Sequence, residues 1–195
     1  MRRLITVLAV LAMSVILGLT IDFGLPAFAS VDPAQLGKAV TEIELLDQMR
    51  TGLASSLEGM TEEPTIDTFM TVCAPVGQQT QQIAQENGWE VRQVALKYRN
   101  PKNQPQNLAE EKALAELIEH PDLTAFWQKD DQGVHYYRRI DVQATCLACH
   151  GAQDSRPDFV QNKYPADLAY DFHIGDLRGM YAVIIPEIQK ALTEK

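Results

Sequence analysis

Cys146-Leu147-Ala148-Cys149-His150 is the feature that most limits what this chain of 195 residues can become. In C-x-x-C-H the two thiols stand at i and i+3, on one side of a helical turn, and the histidine follows at i+4. That spacing lets both thiols reach the two vinyl groups of one haem while the imidazole meets the iron. One such motif predicts one covalent haem c, held by Cys146 and Cys149 with His150 as an iron ligand. The rival readings are half of a zinc site or a dithiol redox pair. No second C-x-x-C exists to complete a four-cysteine zinc site. No βαβ repeat surrounds the motif, as a thioredoxin-like pair requires.

The N-terminus is that of an exported protein. Arg2 and Arg3 precede an almost wholly apolar run from Leu4 to Thr20. Gly24 and Pro26 then break the helix, and Ala27-Phe28-Ala29 forms an A-x-A cleavage site before Ser30. Residues 1–29 are therefore predicted to be a secretory signal peptide, with no stable membrane insertion after cleavage. The alternative, an uncleaved anchor, calls for a longer apolar run. Residues 30–195 have the size of one domain. The chain is thus expected to be exported, which is where c-type haem is attached. Without Arg2, Arg3 and Asp22, this stretch holds 15 basic and 25 acidic side chains, a net of −10. Such a surface disfavours nucleic acid and anionic lipid. The haem motif consumes two of the three cysteines, so Cys73 has no disulfide partner.

Periodicity predicts helices first and strands later. Leu36, Val40, Ile43, Leu46, Leu53 and Leu57 recur at helical spacing across residues 32–58, with Asp32 as N-cap and Pro33 in the first turn. A turn over 59–64 leads to a second helix over 65–87, kinked or split near Ala74 by Pro75 and closed by Asn87-Gly88. Cys73 sits at that irregularity. Residues 89–98 alternate as a strand, 99–107 form a loop, and 108–119 a short helix. Ala125–Lys129 and Val134–Val142 make an antiparallel hairpin whose second strand runs into the haem motif. Residues 151–179 are mostly irregular, Met180–Ile185 a strand, and Glu187–Lys195 a terminal helix. Helices followed by strands without βα alternation imply α+β with an antiparallel sheet.

The second axial position of the iron has several candidates. Cys73 is the odd thiol, although a lone cysteine on an amphipathic helix is commonly a small buried hydrophobe. Met60, Met70 and Met180 could each offer a thioether, Met70 reading more readily as core. His173 is the best alternative histidine. His120 suits a helix-end cap, and His135 a surface or cross-strand role. For the haem propionates the candidates are Arg178 first, then Arg99, Lys97, Asn100, Asn103 and Arg156. Each could equally be a solvated charge or turn residue. Tyr164, Tyr170 and Trp127 could wall the pocket or belong to the core.

Several stretches resemble a family of single-haem c-type proteins with a PAS-like fold from cyanobacteria and other bacteria. They are Cys73-Ala74-Pro75, Gly88-Trp89-Glu90-Val91-Arg92, Leu96 to Pro105, Cys146 to Gly151, Tyr164-Pro165-Ala166-Asp167 and Gly175 to Gly179. The resemblance spans about residues 40–186. It implies a PAS-like antiparallel sheet flanked by helices and one covalent haem ligated by His and Cys, which the motif match places at His150 and Cys73. An anionic thiolate ligand favours ferric iron and a low potential. The expected function is a non-enzymatic redox sensor or low-potential electron-transfer protein acting on a separate redox or signalling partner protein. A haem enzyme or gas-binding protein with an exchangeable sixth ligand is the alternative.

Overall fold

Asp32 starts the first helix as the spacing predicts. Its carboxylate accepts from the Ala34 amide at 2.9 Å and Pro33 fills the first turn, so α1 runs over Pro33–Ala54 and ends in a 3-10 turn at Ser55–Leu57. The computed structural model describes residues 32–186. The expected signal peptide and the expected helix over Glu187–Lys195 lie outside the described residues. Among the described residues, no helix is long and apolar enough to cross a membrane.

The predicted second helix is two. Helix α2 covers Ile66–Val72 and α3 covers Ala74–Asn87, with Cys73 serving as C-cap of one and N-cap of the other. Pro75 has no amide hydrogen for the Thr71 carbonyl, so the ladder cannot run through. Gly88 closes α3 at φ 67°, a left-handed conformation that glycine adopts without penalty. Strand β1 (Glu90–Val94) follows, then α4 (Leu108–Glu119), the hairpin β2 (Ala125–Lys129) and β3 (Gly133–Asp141), the helical turn α5 (Leu147–His150), α6 (Asp158–Lys163) and β4 (Leu177–Pro186).

The four strands form one antiparallel sheet in the order β1-β4-β3-β2, so the last strand in the chain lies inside the sheet. Side chains alternate along β4. Tyr181, Val183 and Ile185 join Ala39, Ile43 and Leu46 of α1 and Val76 and Ile83 of α3 in one core. Met180 and Ala182 face the other way, against Ala113, Leu114 and Leu117 of α4. Helices thus cover both faces, the expected α+β arrangement, and each fully buried Leu or Ile contributes about 2 kcal/mol.

Several local expectations change. The first strand ends at Val94, because the Ala95 amide turns to the Asn103 carbonyl at 2.9 Å and leaves the ladder. The stretch 151–179, expected to be irregular, contains α6 and the first residues of β4. Val40, expected in the α1 stripe, is exposed, because the buried line runs through Ala39, Ile43 and Leu46. Met70 is half exposed rather than core, since Val72 is the buried residue of α2. His135 is buried, not at the surface, with Nε2 donating to Asp130 at 2.8 Å and Tyr137 Oη 3.2 Å from Nδ1.

Gly179 holds β4 against β1. Its φ is 155°, and a Cβ there would run into the Val94 carbonyl oxygen. Gly179→Ala is expected to lower the unfolding free energy by about 2 kcal/mol, measured by urea denaturation. An unchanged midpoint would contradict this close approach.

Candidate functional site

Between α1, the α2–α3 junction, β1 and the α5 turn lies a cleft of about 860 Å³. Cys73, Cys146, Cys149, His150, Arg99 and Arg178 all line it. Three separate constructions bring them there. Cys73 is placed by the helix break before Pro75. The motif is placed by the end of β3: Val142 donates to the Asp176 carbonyl at 3.0 Å and accepts from Gly175 at 2.9 Å. Val142, Ala169 and Phe172 then pack under Cys146 and Leu147, so the helical turn stands on an apolar base. Arg178 is carried by β4 and donates to the Lys97 carbonyl at 2.9 Å. Three thiols and one imidazole share the cleft. Yet among the described residues no three or more His, Cys, Asp or Glu side chains converge as a metal-ion cluster.

His150 is held by the backbone of the stretch before β4. Its Nδ1 lies 2.7 Å from the Ala169 carbonyl oxygen, which can only accept, so the proton sits on Nδ1 and Nε2 keeps its lone pair. The Arg99 nitrogen 3.4 Å from Nδ1 is then a neighbouring charge, not a hydrogen bond. Burial first, then Arg178 and Arg99, hold the imidazole pKa well below its ordinary value. The ring is therefore neutral, the form that ligates a metal.

The thiols respond to the same surroundings. Cys73 is exposed along the cleft, yet the protein packed around it pushes its pKa up, with Arg99 pulling against that. Burial raises Cys149 to about 11. The cations are more unusual. Arg50, Arg92, Arg99, Lys102 and Arg178 line the cleft, and among the described residues no Asp or Glu does. Arg99 pairs with the buried Asp167 at 3.3 Å and donates to the Cys149 carbonyl at 2.6 Å; Arg156 shares the same carboxylate at 3.0 Å. Arg178 has no carboxylate partner among the described residues. Burial, then the like charge of Arg99, pulls its pKa down to about 10. The cleft is short of negative charge.

Of the other candidates, Asn100, Asn103 and Tyr164 also line the cleft. Lys97 lies over the Phe172 ring and Arg156 over Tyr170, outside the lining. Trp127 is half exposed on the edge strand β2 and is absent from the lining. His173 is exposed beside Asp176 at 3.5 Å, and His120 beside Glu116 at 3.4 Å. Met60, Met70 and Met180 are absent from the lining. Sequence reasoning missed Arg50. Its signal was present, since Asp47 and Arg50 continue the core-facing line of Ile43 and Leu46 at helical spacing.

A family model described as Tll0287-like matches residues 29–186. Among solved structures, the chain is similar to one described as the crystal structure of the cyanobacterial heme-protein Tll0287. The two share 63% sequence identity at a TM-score of 0.76, over 83% of this chain and 100% of that one. No curated protein matches the chain.

Asp167 also accepts from the Ala169 amide at 2.9 Å. Asp167→Asn keeps an acceptor for that amide but leaves Arg99 and Arg156 unpaired. It is expected to destabilise the protein by about 3 kcal/mol, read from urea unfolding midpoints. A loss within experimental error would mean these buried pairs contribute nothing net.

Proposed function

The chain belongs to the Tll0287-like family, and on that premise we propose that it is an exported c-type haem protein. It acts as a redox sensor or low-potential electron-transfer protein in the periplasm or thylakoid lumen, with one haem ligated by His150 and Cys73. The observation that carries this reading is the convergence of Cys146, Cys149, His150 and Cys73 on one cleft whose lining, among the described residues, holds five cations and no carboxylate.

The lining fits the group. Val72, Val76, Val91, Val94 and Ile140 offer apolar surface, and Arg178 lacks the anion that a propionate would provide. Haem bound there supplies a one-electron iron couple. Cys146 and Cys149 hold it covalently, and His150 presents Nε2 in the tautomer set by Ala169. Cys73 is the thiol offered from the helix break. Arg178, with Arg99 behind it, provides charge-assisted donors for carboxylates. A thiolate ligand stabilises the ferric state, which gives a low potential. The lining carries no acidic side chain to serve as a distal acid or base, which favours a redox role over catalytic turnover. The redox or signalling partner is a separate protein, and the net charge of −9 suits a basic one.

The pyridine haemochrome of the purified protein is expected to be c-type, with one haem per chain. Its ferric electron spin resonance spectrum is expected to be low-spin, to change in Cys73→Ala and to stay as wild type in His173→Ala. An unchanged spectrum in Cys73→Ala removes Cys73 as ligand, and a colourless protein removes the haem.

A further inference from the structure

Not all of the cleft's charge belongs to the groups already assigned. Glu44, Asp47 and Arg50 follow one another at spacing three on α1, opposite Arg138 of β3. Arg138 Nε lies 2.9 Å from Glu44 Oε1, and its Nη2 lies 3.3 Å from Asp47 Oδ2. The other oxygen of Asp47 takes Arg50 Nε at 2.7 Å. Asp47 is only 7% exposed, so water does little to dissipate its charge. One buried carboxylate thus serves two guanidinium groups, and Arg50 reaches the cleft as a half-neutralised cation. Its further contact is weak, from Nη1 to the Asp141 carbonyl at 3.5 Å. The Tyr181 hydroxyl is buried beside the same Arg50 and Asp47, and burial keeps it protonated, so it brings no charge of its own.

We propose that Arg50 tunes the potential of the haem site and that Asp47 is its positioning residue, setting how much of its charge the cleft feels. This rests on the haem reading above. Reduction adds one electron to the site. A cation on the cleft wall stabilises the reduced state relative to the oxidised one, and an anion does the reverse. Groups withdrawn from water are screened little by salt, so the effect survives at physiological ionic strength. Glu44 balances the outer arginine, so charges alternate from the partly exposed end of the chain to the cleft.

The test is the midpoint potential of the haem-loaded protein, measured by spectroelectrochemistry for wild type, Arg50→Gln and Asp47→Asn. Arg50→Gln is expected to lower the potential and Asp47→Asn to raise it. Each should change the ferric-to-ferrous ratio at fixed ambient potential by about tenfold, which is 59 mV for one electron. Arg50→Lys, which keeps the charge, should stay near wild type. A purely structural role would move the first two variants in the same direction by loosening the same wall. Shifts of the same sign, or none, in proteins with the wild-type haem spectrum overturn the proposal. Should Asp47→Asn fail to fold, Glu44→Gln replaces it. Freed from Glu44, Arg138 draws Asp47 away from Arg50, so an upward shift is expected and its absence overturns the proposal. A colourless wild type defeats the haem reading itself, whereas a red wild type with same-sign shifts defeats only this inference.

Discussion

A closed ring of hydrogen bonds runs through Arg99, and the geometry of the cleft depends on it. Arg99 donates to the Cys149 carbonyl and pairs with Asp167. Asp167 accepts from the Ala169 amide, and the Ala169 carbonyl holds His150 Nδ1. His150 follows Cys149 in the chain, which completes the circuit. The ring ties together three segments that are far apart in sequence: the loop after β1, the motif turn, and the stretch before β4. Asp167 is buried, so this carboxylate cannot exchange its partners for water. In such surroundings a half-satisfied network is worse than none, and the ring holds because each member is partnered.

The two walls of the cleft are made differently. The His150 wall is made of turns fixed by backbone hydrogen bonds and by a small apolar cluster under Cys146 and Leu147. The Cys73 wall is a joint between two helices, where Pro75 prevents the hydrogen-bond ladder from continuing. A turn locked on several sides holds one geometry. A joint between helices can pivot at a single residue with little loss of hydrogen bonding. The imidazole side is therefore fixed by several contacts, whereas the thiol side rests on a helix joint.

Elements whose signals are local were legible in the sequence. Asp32-Pro33 marked the start of α1, Asn87-Gly88 the end of α3, and Pro75 the break at Cys73, since caps, left-handed glycines and missing amides act within a few residues. The six candidate site residues also lie on one cleft, four of them in short motifs, Arg99 in the loop after β1 and Arg178 at the start of β4. What escaped was decided at long range. The end of β1 at Val94 depends on an acceptor in the following loop, and the burial of His135 on Asp130 and Tyr137. The exposure of Trp127 follows from β2 lying at the sheet edge, which hairpin periodicity does not reveal. Arg50 escaped for a related reason. An arginine on a core-facing stripe gains its meaning from Arg138, 88 positions on, which competes for the same carboxylate.

The distribution of charge shows how so acidic a chain can present a cationic site. The protein carries a formal net charge of −9, yet among the described residues the charged side chains on the cleft wall are all cations. The compensating carboxylates stand behind that wall, and two of them divide their charge: Asp167 between Arg99 and Arg156, Asp47 between Arg50 and Arg138. Sharing leaves each inner arginine with a residual positive field directed at the cleft, while both carboxylates remain satisfied. A carboxylate on the cleft surface would have cancelled that field and repelled an anionic ligand. Acids held one layer back therefore stabilise the cations without taking up the space or the charge that an anionic ligand would need. If haem is attached at Cys146 and Cys149 as proposed, its carboxylates would enter a site where Arg178 already feels the like charge of Arg99 with no carboxylate of its own among the described residues.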